Sequence, residues 1–253
     1  FAAYVEVGES VKHPLKYYQN NLANGVALLS VLVEQGVKYF VQSSTAAVYG
    51  EPTAEGPIPE SAPTKPVNAY GSSKLMFEQV LADTARAHGL QYVCFRYFNV
   101  CGAHPSGLIG ELRKHESHLV PLVIKAALGR MPHLTLFGQD YPTRDGTCLR
   151  DYVDMDDLLR GHLAGLKYLL AGGASVAINL GSNKGYTVKE VIKEVEAVTG
   201  KSVPVVLGPR REGDPACLVA ANGLAQSLLG WTPTQTLAQS IAKVWKFNRS
   251  LSQ

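Results

Sequence analysis

Tyr70 and Lys74 are the residues of this chain whose type and spacing best suit proton transfer. They stand four apart in Tyr70-Gly71-Ser72-Ser73-Lys74, and on a helix that spacing puts both on one face. A free phenol ionises near pH ~10 and is a poor base at neutral pH. An ammonium ~4 Å away, at an effective dielectric of about 20, favours the phenolate by about 4 kcal/mol. That brings the phenol down by about three pH units, into the range of a physiological general base. The same spacing also arises where an exposed lysine flanks a half-buried tyrosine, and by itself it does not separate the two.

The surroundings favour chemistry. Ser43-Ser44-Thr45 closes a short apolar run at 37–41 that reads as a strand, and open α/β sheets place ligands at that end of a strand. Its hydroxyls could bond a substrate hydroxyl and the phenol, or form an ordinary strand-end turn. Asn20 and Asn21 sit on the preceding helical stretch, where they are either buried with partners or part of a solvated face. His115 and His118 have HxxH spacing, but no third ligand is evident in the sequence, so no metal is expected and they read as loop histidines.

The elements that must position these residues alternate. A helix is expected over 9–35, with Ser10 near its start, Pro14 in its first turns and Gly36 at its end. A strand follows at 37–41, then a Pro/Gly/Glu-rich loop at 50–68. Asn68 caps a second helix to His88, which Gly89 terminates, and 90–98 is a strand. Helix–strand alternation with small polar residues in the loops argues a parallel sheet covered by helices. Beyond the loop at 102–117, helices are expected at 119–128, 155–170, 187–198, 222–229 and 237–248, with strands at 176–180 and 203–207.

Composition narrows the function. Apolar residues are 46% and charged residues 18%, which excludes disorder for the bulk of the chain. The net charge of +3, from 24 basic and 21 acidic side chains, argues against nucleic acid as the main partner. No apolar run approaches the ~18 residues of a membrane span, so no membrane partner is expected. The four cysteines are scattered without a CxxC pair, which fits a reducing compartment, read as cytoplasmic.

Several stretches together carry a resemblance: FAA (1–3), VGESVKHPLKYYQNN (7–21), SSTAAVYG (43–50), NAYGSSKLMFEQ (68–79), RYFNVCGAHPSG (96–107), LFGQDYPTRDGTCLRDYVD (136–154), NLGSNKGYTV (179–188) and PRREGD (209–214). In order and over nearly the whole length, the chain resembles the extended short-chain dehydrogenases/reductases, and within them the UDP-glucose 4-epimerases. The resemblance implies a doubly wound parallel α/β sheet of Rossmann type with a smaller mixed α/β substrate domain. It places an NAD-binding remainder at 1–99 and a UDP-sugar-binding part at 100–253, of which about 148–182 returns to the first. The family's opening portion carries a GxxGxxG loop that cradles the NAD pyrophosphate, and this sequence contains no such loop. Phe1 to Ala3 match the end of the family's fourth strand, so the chain reads as starting in mid-domain, and a fragment unable to bind NAD is the alternative reading.

Carried over residue by residue, the resemblance implies Tyr70 as base, Lys74 as its tuner and ribose ligand, and Thr45 as the hydroxyl beside the base. Phe1, Ala2, Ala3, Asn20, Ser43 and Phe98 match NAD contacts. Asn99, Leu119, Arg150, Arg211 and Asp214 match substrate contacts, with the arginines on the UDP diphosphate and Asp214 on a ribose. Leu218, four positions beyond Asp214, matches the residue that shapes the sugar pocket. Taken alone, Arg150 could equally pair with Asp151 or Asp154, Arg211 could be a solvated charge, and Leu218 a core leucine. The implied reaction is inversion at C4 of UDP-glucose and UDP-galactose through a 4-keto sugar, or of another UDP-sugar such as an N-acetylhexosamine or a pentose. A 4,6-dehydratase would carry Asp-Glu after the hydroxyl residue, where this chain has Ala46-Ala47. A homodimer is compatible with the resemblance.

Overall fold

The computed structural model describes residues 2–52, 56–114, 116–211 and 214–251. The chain runs α1 (Val7–Lys12), α2 (Pro14–Tyr17), a π-helical turn (Tyr18–Ala23), α3 (Asn24–Glu34), β1 (Tyr39–Thr45), a 3-10 turn (Ala46–Tyr49), α4 (Ala69–His88), β2 (Gln91–Tyr97) and β3 (Asn99–Cys101). It continues with α5 (Leu119–Ala127), β4 (Leu134–Phe137), β5 (Leu149–Asp154), α6 (Met155–Leu170), β6 (Val176–Leu180) and β7 (Gly185–Thr187). The last elements are α7 (Val188–Thr199), β8 (Val205–Gly208), β9 (Cys217–Leu218), α8 (Gly223–Leu229) and α9 (Leu237–Ser250).

These elements form two compact units, one of residues 1–98, 160–180 and 220–232, the other of 99–159, 181–219 and 233–253. The segments that join the first unit are thus 160–180 and 220–232, against the 148–182 expected from the sequence. The first unit holds a three-stranded parallel sheet in the order β1-β2-β6. Crossover connections supply its helices, and Leu29, Phe77, Leu81, Leu90 and Cys94 fill one side of it. The second unit holds a mixed sheet in which β5 pairs with β3, β7 and β9, and a separate parallel pair of β4 with β8. Its core gathers Val123 and Ile124 of α5, Val191 and Val195 of α7, and Ile241 of α9. The parallel α/β architecture is the one the alternation of elements implied.

Capping residues fix the helix that carries Tyr70. The Asn68 side chain accepts the Gly71 amide at 2.9 Å, and Gly89 ends α4 in the left-handed conformation at φ 68°. Thr187 and Glu190 close a reciprocal capping box on α7. The expected single helix over 9–35 is instead four pieces. Pro14 has no N–H to bond back, so the first piece stops at Lys12 and His13 leaves the helical region at φ −131°. The following segment is widened into π geometry over Tyr18–Ala23, which holds Asn20 and Asn21. The strand expected at 37–41 runs on through Thr45, paired with β2 throughout, so Ser43 to Thr45 are strand residues rather than a turn. Among the described residues, no helix is long and apolar enough to cross a membrane.

Candidate active site

Close packing of α4 onto the end of β1 sets the face that carries Tyr70 and Lys74. A Cβ on Gly71 would lie 2.6 Å from the Ala47 carbonyl oxygen, so this position needs glycine. Thr45 caps the 3-10 turn beneath it, its Oγ1 accepting the Ala47 amide at 3.1 Å. Lys74 is 5% exposed and its Nζ donates to the Ser43 carbonyl at 2.8 Å. Burial pushes the Lys74 ammonium down to about 8. An ammonium carries three donors, and no other acceptor among the described residues takes the remaining two. Tyr70 is half-buried, and its ring meets that of Tyr17 edge-on with centroids 6.5 Å apart. Tyr17 is fully buried, and its hydroxyl hydrogen is shared between the Glu6 carbonyl at 2.7 Å and the Glu9 carboxylate at 2.9 Å. Tyr97 donates its hydroxyl to Ser43 Oγ at 3.0 Å, and burial raises its pKa.

The other residues of the first unit that the sequence singled out divide by partner. Asn21 is buried and spends its amide on the chain, accepting the Tyr4 amide at 2.9 Å and donating to the Tyr4 carbonyl and Ser73 Oγ. Asn20 is half-buried and donates to Asn21 Oδ1 at 3.0 Å. Phe98 is buried and its amide donates to the Leu180 carbonyl at 3.3 Å. Ala2 is exposed and Ala3 half-buried, while Phe1 lies outside the described residues.

A buried polar network behind this face was not anticipated. Glu78 stands one turn beyond Lys74 and takes both Nε and Nη2 of Arg96, at 3.1 and 2.7 Å, along with the Ser44 hydroxyl. Arg96 also donates to the Tyr49 hydroxyl at 3.0 Å, and Tyr49 donates to Asn179 Oδ1 at 2.7 Å. Burial opposes the charge on Arg96, but its bonds to Glu78 win and raise its pKa. The signal in the sequence was Glu78 itself, on the face already defined by Tyr70 and Lys74. His162, bonded to Tyr97, was also missed, as a single histidine in an otherwise ordinary amphipathic helix.

In the second unit, Arg150, Asp214 and Leu218 are brought together. Leu218 of β9 stands opposite Arg150 of β5 in parallel register, and Arg150 Nη2 donates to Asp214 Oδ1 at 2.6 Å. The alternative pairing of Arg150 with Asp151 or Asp154 is not realised. Asp151 takes the Ser182 amide and hydroxyl and the Asn183 amide, while Asp154 takes Lys243 and Ser240. Leu218 is half-buried, which differs from a fully enclosed core leucine. Asn99, exposed on β3, lies opposite Tyr152 in parallel register. Arg211 is exposed but not merely solvated, its guanidinium lying 4.1 Å above the Phe137 ring. Leu119 opens α5 and packs against the core. His118 Nδ1 bonds Glu111 at 2.9 Å, and Glu116 brings a third ligand atom within 4.8 Å of these two. Burial favours a neutral Glu111, but His118 and Arg113 outweigh it and hold the carboxyl at about 2, so this carboxylate is already neutralised by protein groups. His115 lies outside the described residues.

The sequence profile of the NAD dependent epimerase/dehydratase family matches residues 1–181. The UDP-glucose 4-epimerase of Halalkalibacterium halodurans is 47% identical over 250 residues, which are 98% of this chain and 75% of that protein. The crystal structure of the UDP-glucose 4-epimerase from Stenotrophomonas maltophila, with bound NAD and formylated UDP-arabinopyranose, superposes with a TM-score of 0.96 at 41% identity over 100% of this chain and 75% of that one. The Bifidobacterium longum UDP-glucose 4-epimerase in complex with NAD+ and UDP gives 0.94 at 40% identity, covering 99% and 75%. These matches span the parallel sheet of the first unit and the mixed sheet of the second, and the chain belongs to the NAD dependent epimerase/dehydratase family.

Proposed function

We propose that the protein inverts C4 of UDP-hexoses, interconverting UDP-glucose and UDP-galactose with NAD. The observation that carries this reading is the buried Lys74 one helical turn from Tyr70, with two of its donors open. Those donors fit the two hydroxyls of a ribose, and Ser43 and Tyr97 beside them fit the polar end of a nicotinamide, so this side of the site suits the cofactor. NAD supplies a hydride acceptor that returns the hydride later, so no net redox change occurs. Tyr70, as phenolate, takes the proton of the C4 hydroxyl, and Lys74 holds the charge of that phenolate in place. Thr45, buried at the end of β1, supplies a hydroxyl beside the base. Tyr70 gives the proton back once the 4-keto sugar has turned over.

Residues 1–98 with their returning segments serve the cofactor, through Ala2, Ala3, Asn20, Ser43, Lys74 and Phe98, with Phe1 as a further contact. The second unit serves the nucleotide: Arg150 and Arg211 face the diphosphate charge, Asp214 a ribose hydroxyl, and Asn99 and Leu119 complete the contacts. For Arg150 and Asp214 this requires exchanging their mutual ion pair for the ligand. Leu218 shapes the sugar pocket. Ala46-Ala47 argue against the 4,6-dehydratase reading, because the elimination needs an acid and a base there. Four free thiols, three of them buried, support a cytoplasmic setting. The exposed apolar residues Leu28 and Val31 on α3 support a homodimer.

Tyr70→Phe tests the reading. Removal of the phenol oxygen should reduce turnover of UDP-galactose by at least about 10²-fold while NAD affinity stays within a few-fold. Turnover near that of the unaltered protein would overturn the assignment of Tyr70.

A further inference from the structure

Two glycines one turn apart on α6 hold that helix unusually close to the sheet. A Cβ on Gly161 would lie 2.9 Å from Leu180 Cδ1, and one on Gly165 would lie 2.5 Å from Phe95 Cζ. Each glycine in a helix interior costs ~1 kcal/mol relative to alanine, so their placement needs a reason. Between them stands His162. Its ring packs against Phe95 with centroids 5.1 Å apart, and its Nε2 lies 2.5 Å from the Tyr97 hydroxyl oxygen. The sequence motif that brings α6 down onto β2 is therefore also what delivers an imidazole to Tyr97.

The bonds beyond Tyr97 run one way or the other according to which His162 nitrogen carries the proton. In one of these directions, the one proposed below, Tyr97 donates its single hydroxyl hydrogen to Ser43 Oγ at 3.0 Å. Its oxygen can then only accept from His162, which requires a proton on Nε2. Ser43 Oγ, having accepted, must give its own hydrogen elsewhere. No acceptor for it exists among the described residues, and Ser43 is only half-buried. The next atom of the same residue, its carbonyl oxygen, is the one that holds Lys74 Nζ at 2.8 Å. All four side chains belong to the first unit.

We propose that His162 is a positioning residue that sets the polarity of a relay, His162 Nε2–H to Tyr97 to Ser43, so that Ser43 presents a hydroxyl hydrogen to an acceptor-only oxygen of the bound cofactor. The ligand chemistry is a carbonyl oxygen, as in the carboxamide of a nicotinamide. An amino group or a cation at the same place would meet the wrong end of Ser43. The identity of the ligand rests on the NAD reading above, whereas the direction of the relay does not.

The test has two parts. In the chain labelled with ¹⁵N-histidine, two-bond ¹H–¹⁵N correlation identifies the His162 ring by its loss in His162→Gln. A proton on Nε2 is expected, and a bare Nε2 would overturn the relay. Calorimetry with NAD is then run on four variants. Ser43→Ala and His162→Leu should each weaken binding by about tenfold, as for one lost hydrogen bond in a desolvated site. Their double variant should be no weaker than either alone, because both break one chain. His162→Gln, which keeps an N–H at similar reach, should stay within about twofold of the unaltered protein. Unchanged affinity in His162→Leu, or losses that multiply to about a hundredfold in the double variant, would overturn the positioning role. If the unaltered chain takes up no NAD, the cofactor reading fails, and the proton on Nε2 still decides the direction of the relay.

Discussion

An ammonium that is 5% exposed, with one carbonyl as its partner, loses most of the hydration it has in water, and Lys74 falls to about 8 for that reason. An unfolded lysine titrates near ~10.4, so between about pH 8 and 10.4 the unfolded chain binds more protons here than the folded one. Stability from this site therefore rises with pH across that window, and below it the full penalty, on the order of 3 kcal/mol, is present. Removing the charge should stabilise the fold while removing function. Lys74→Met is expected to be more stable at pH 7 by about 1–2 kcal/mol, the lost bond to Ser43 offsetting part of the gain. Urea unfolding at pH 7 and pH 10 checks it: the advantage should shrink at the higher pH, and a constant gap would refute the burial argument. Leu218 makes a second expectation at this scale. It stands opposite Arg150 and is smaller than an aromatic residue, so in the proposed sugar pocket it would leave room for an N-acetyl group. Leu218→Tyr should shift the ratio of N-acetylated to plain UDP-sugar turnover by about 1–3 kcal/mol, and an unchanged ratio would remove Leu218 from the pocket.

Elements, rather than residues, decide whether Tyr70 meets its surroundings, and the tightest joint is the first turn of α4 against the turn after β1. The helix itself would prefer alanine at position 71 by ~1 kcal/mol. The Ala47 carbonyl 2.6 Å from the added methyl is backbone and cannot step aside, so Gly71→Ala should instead destabilise by about 1–3 kcal/mol and displace Tyr70. A thermal midpoint equal to or above that of the unaltered chain would contradict this. The start, end and cap of α4 were legible from Asn68 and Gly89 because capping is local chemistry. So were α7, with Thr187 and Gly200, and the parallel strands of the first unit. What escaped were β3, β4, β5, β7 and β9. They are two to six residues long, and their polar content, as in Leu149–Asp154, hides the strand pattern. Their existence depends on partners far along the chain, such as Cys217 beside Leu149. The break at Pro14 was visible as a proline, but the π turn that follows has no counterpart in local propensity. At the site, Tyr70 and Lys74 were readable from spacing. The ion pair of Arg150 with Asp214 was not, because it joins residues 64 apart.

Across the whole molecule the chain passes between its two units at 98/99, 159/160, 180/181, 219/220 and 232/233, so neither unit is a continuous piece of sequence. The third of α6 nearest its start and the rest of that helix belong to different units. A defect that unfolds one unit therefore pulls on segments that must stay folded in the other, and one cooperative transition is expected. The place to introduce the defect is the Arg96–Glu78 pair, which ties β2 to α4, reaches β1 through Ser44, and reaches β6 through Tyr49 and Asn179. Arg96→Met alone strands a buried carboxylate and should destabilise by about 3–5 kcal/mol. Adding Glu78→Met removes the stranded charge and should recover most of that loss. The two tryptophans read the outcome separately, since Trp231 is buried in the first unit and Trp245 packs against the core of the second. In backgrounds that keep one tryptophan each, Arg96→Met should lower the urea midpoint reported by both, by the same amount. A lowered midpoint at Trp231 with Trp245 unmoved would show that the units unfold independently, and a double variant as unstable as Arg96→Met would show that the network matters for its bonds rather than for its balance of charge.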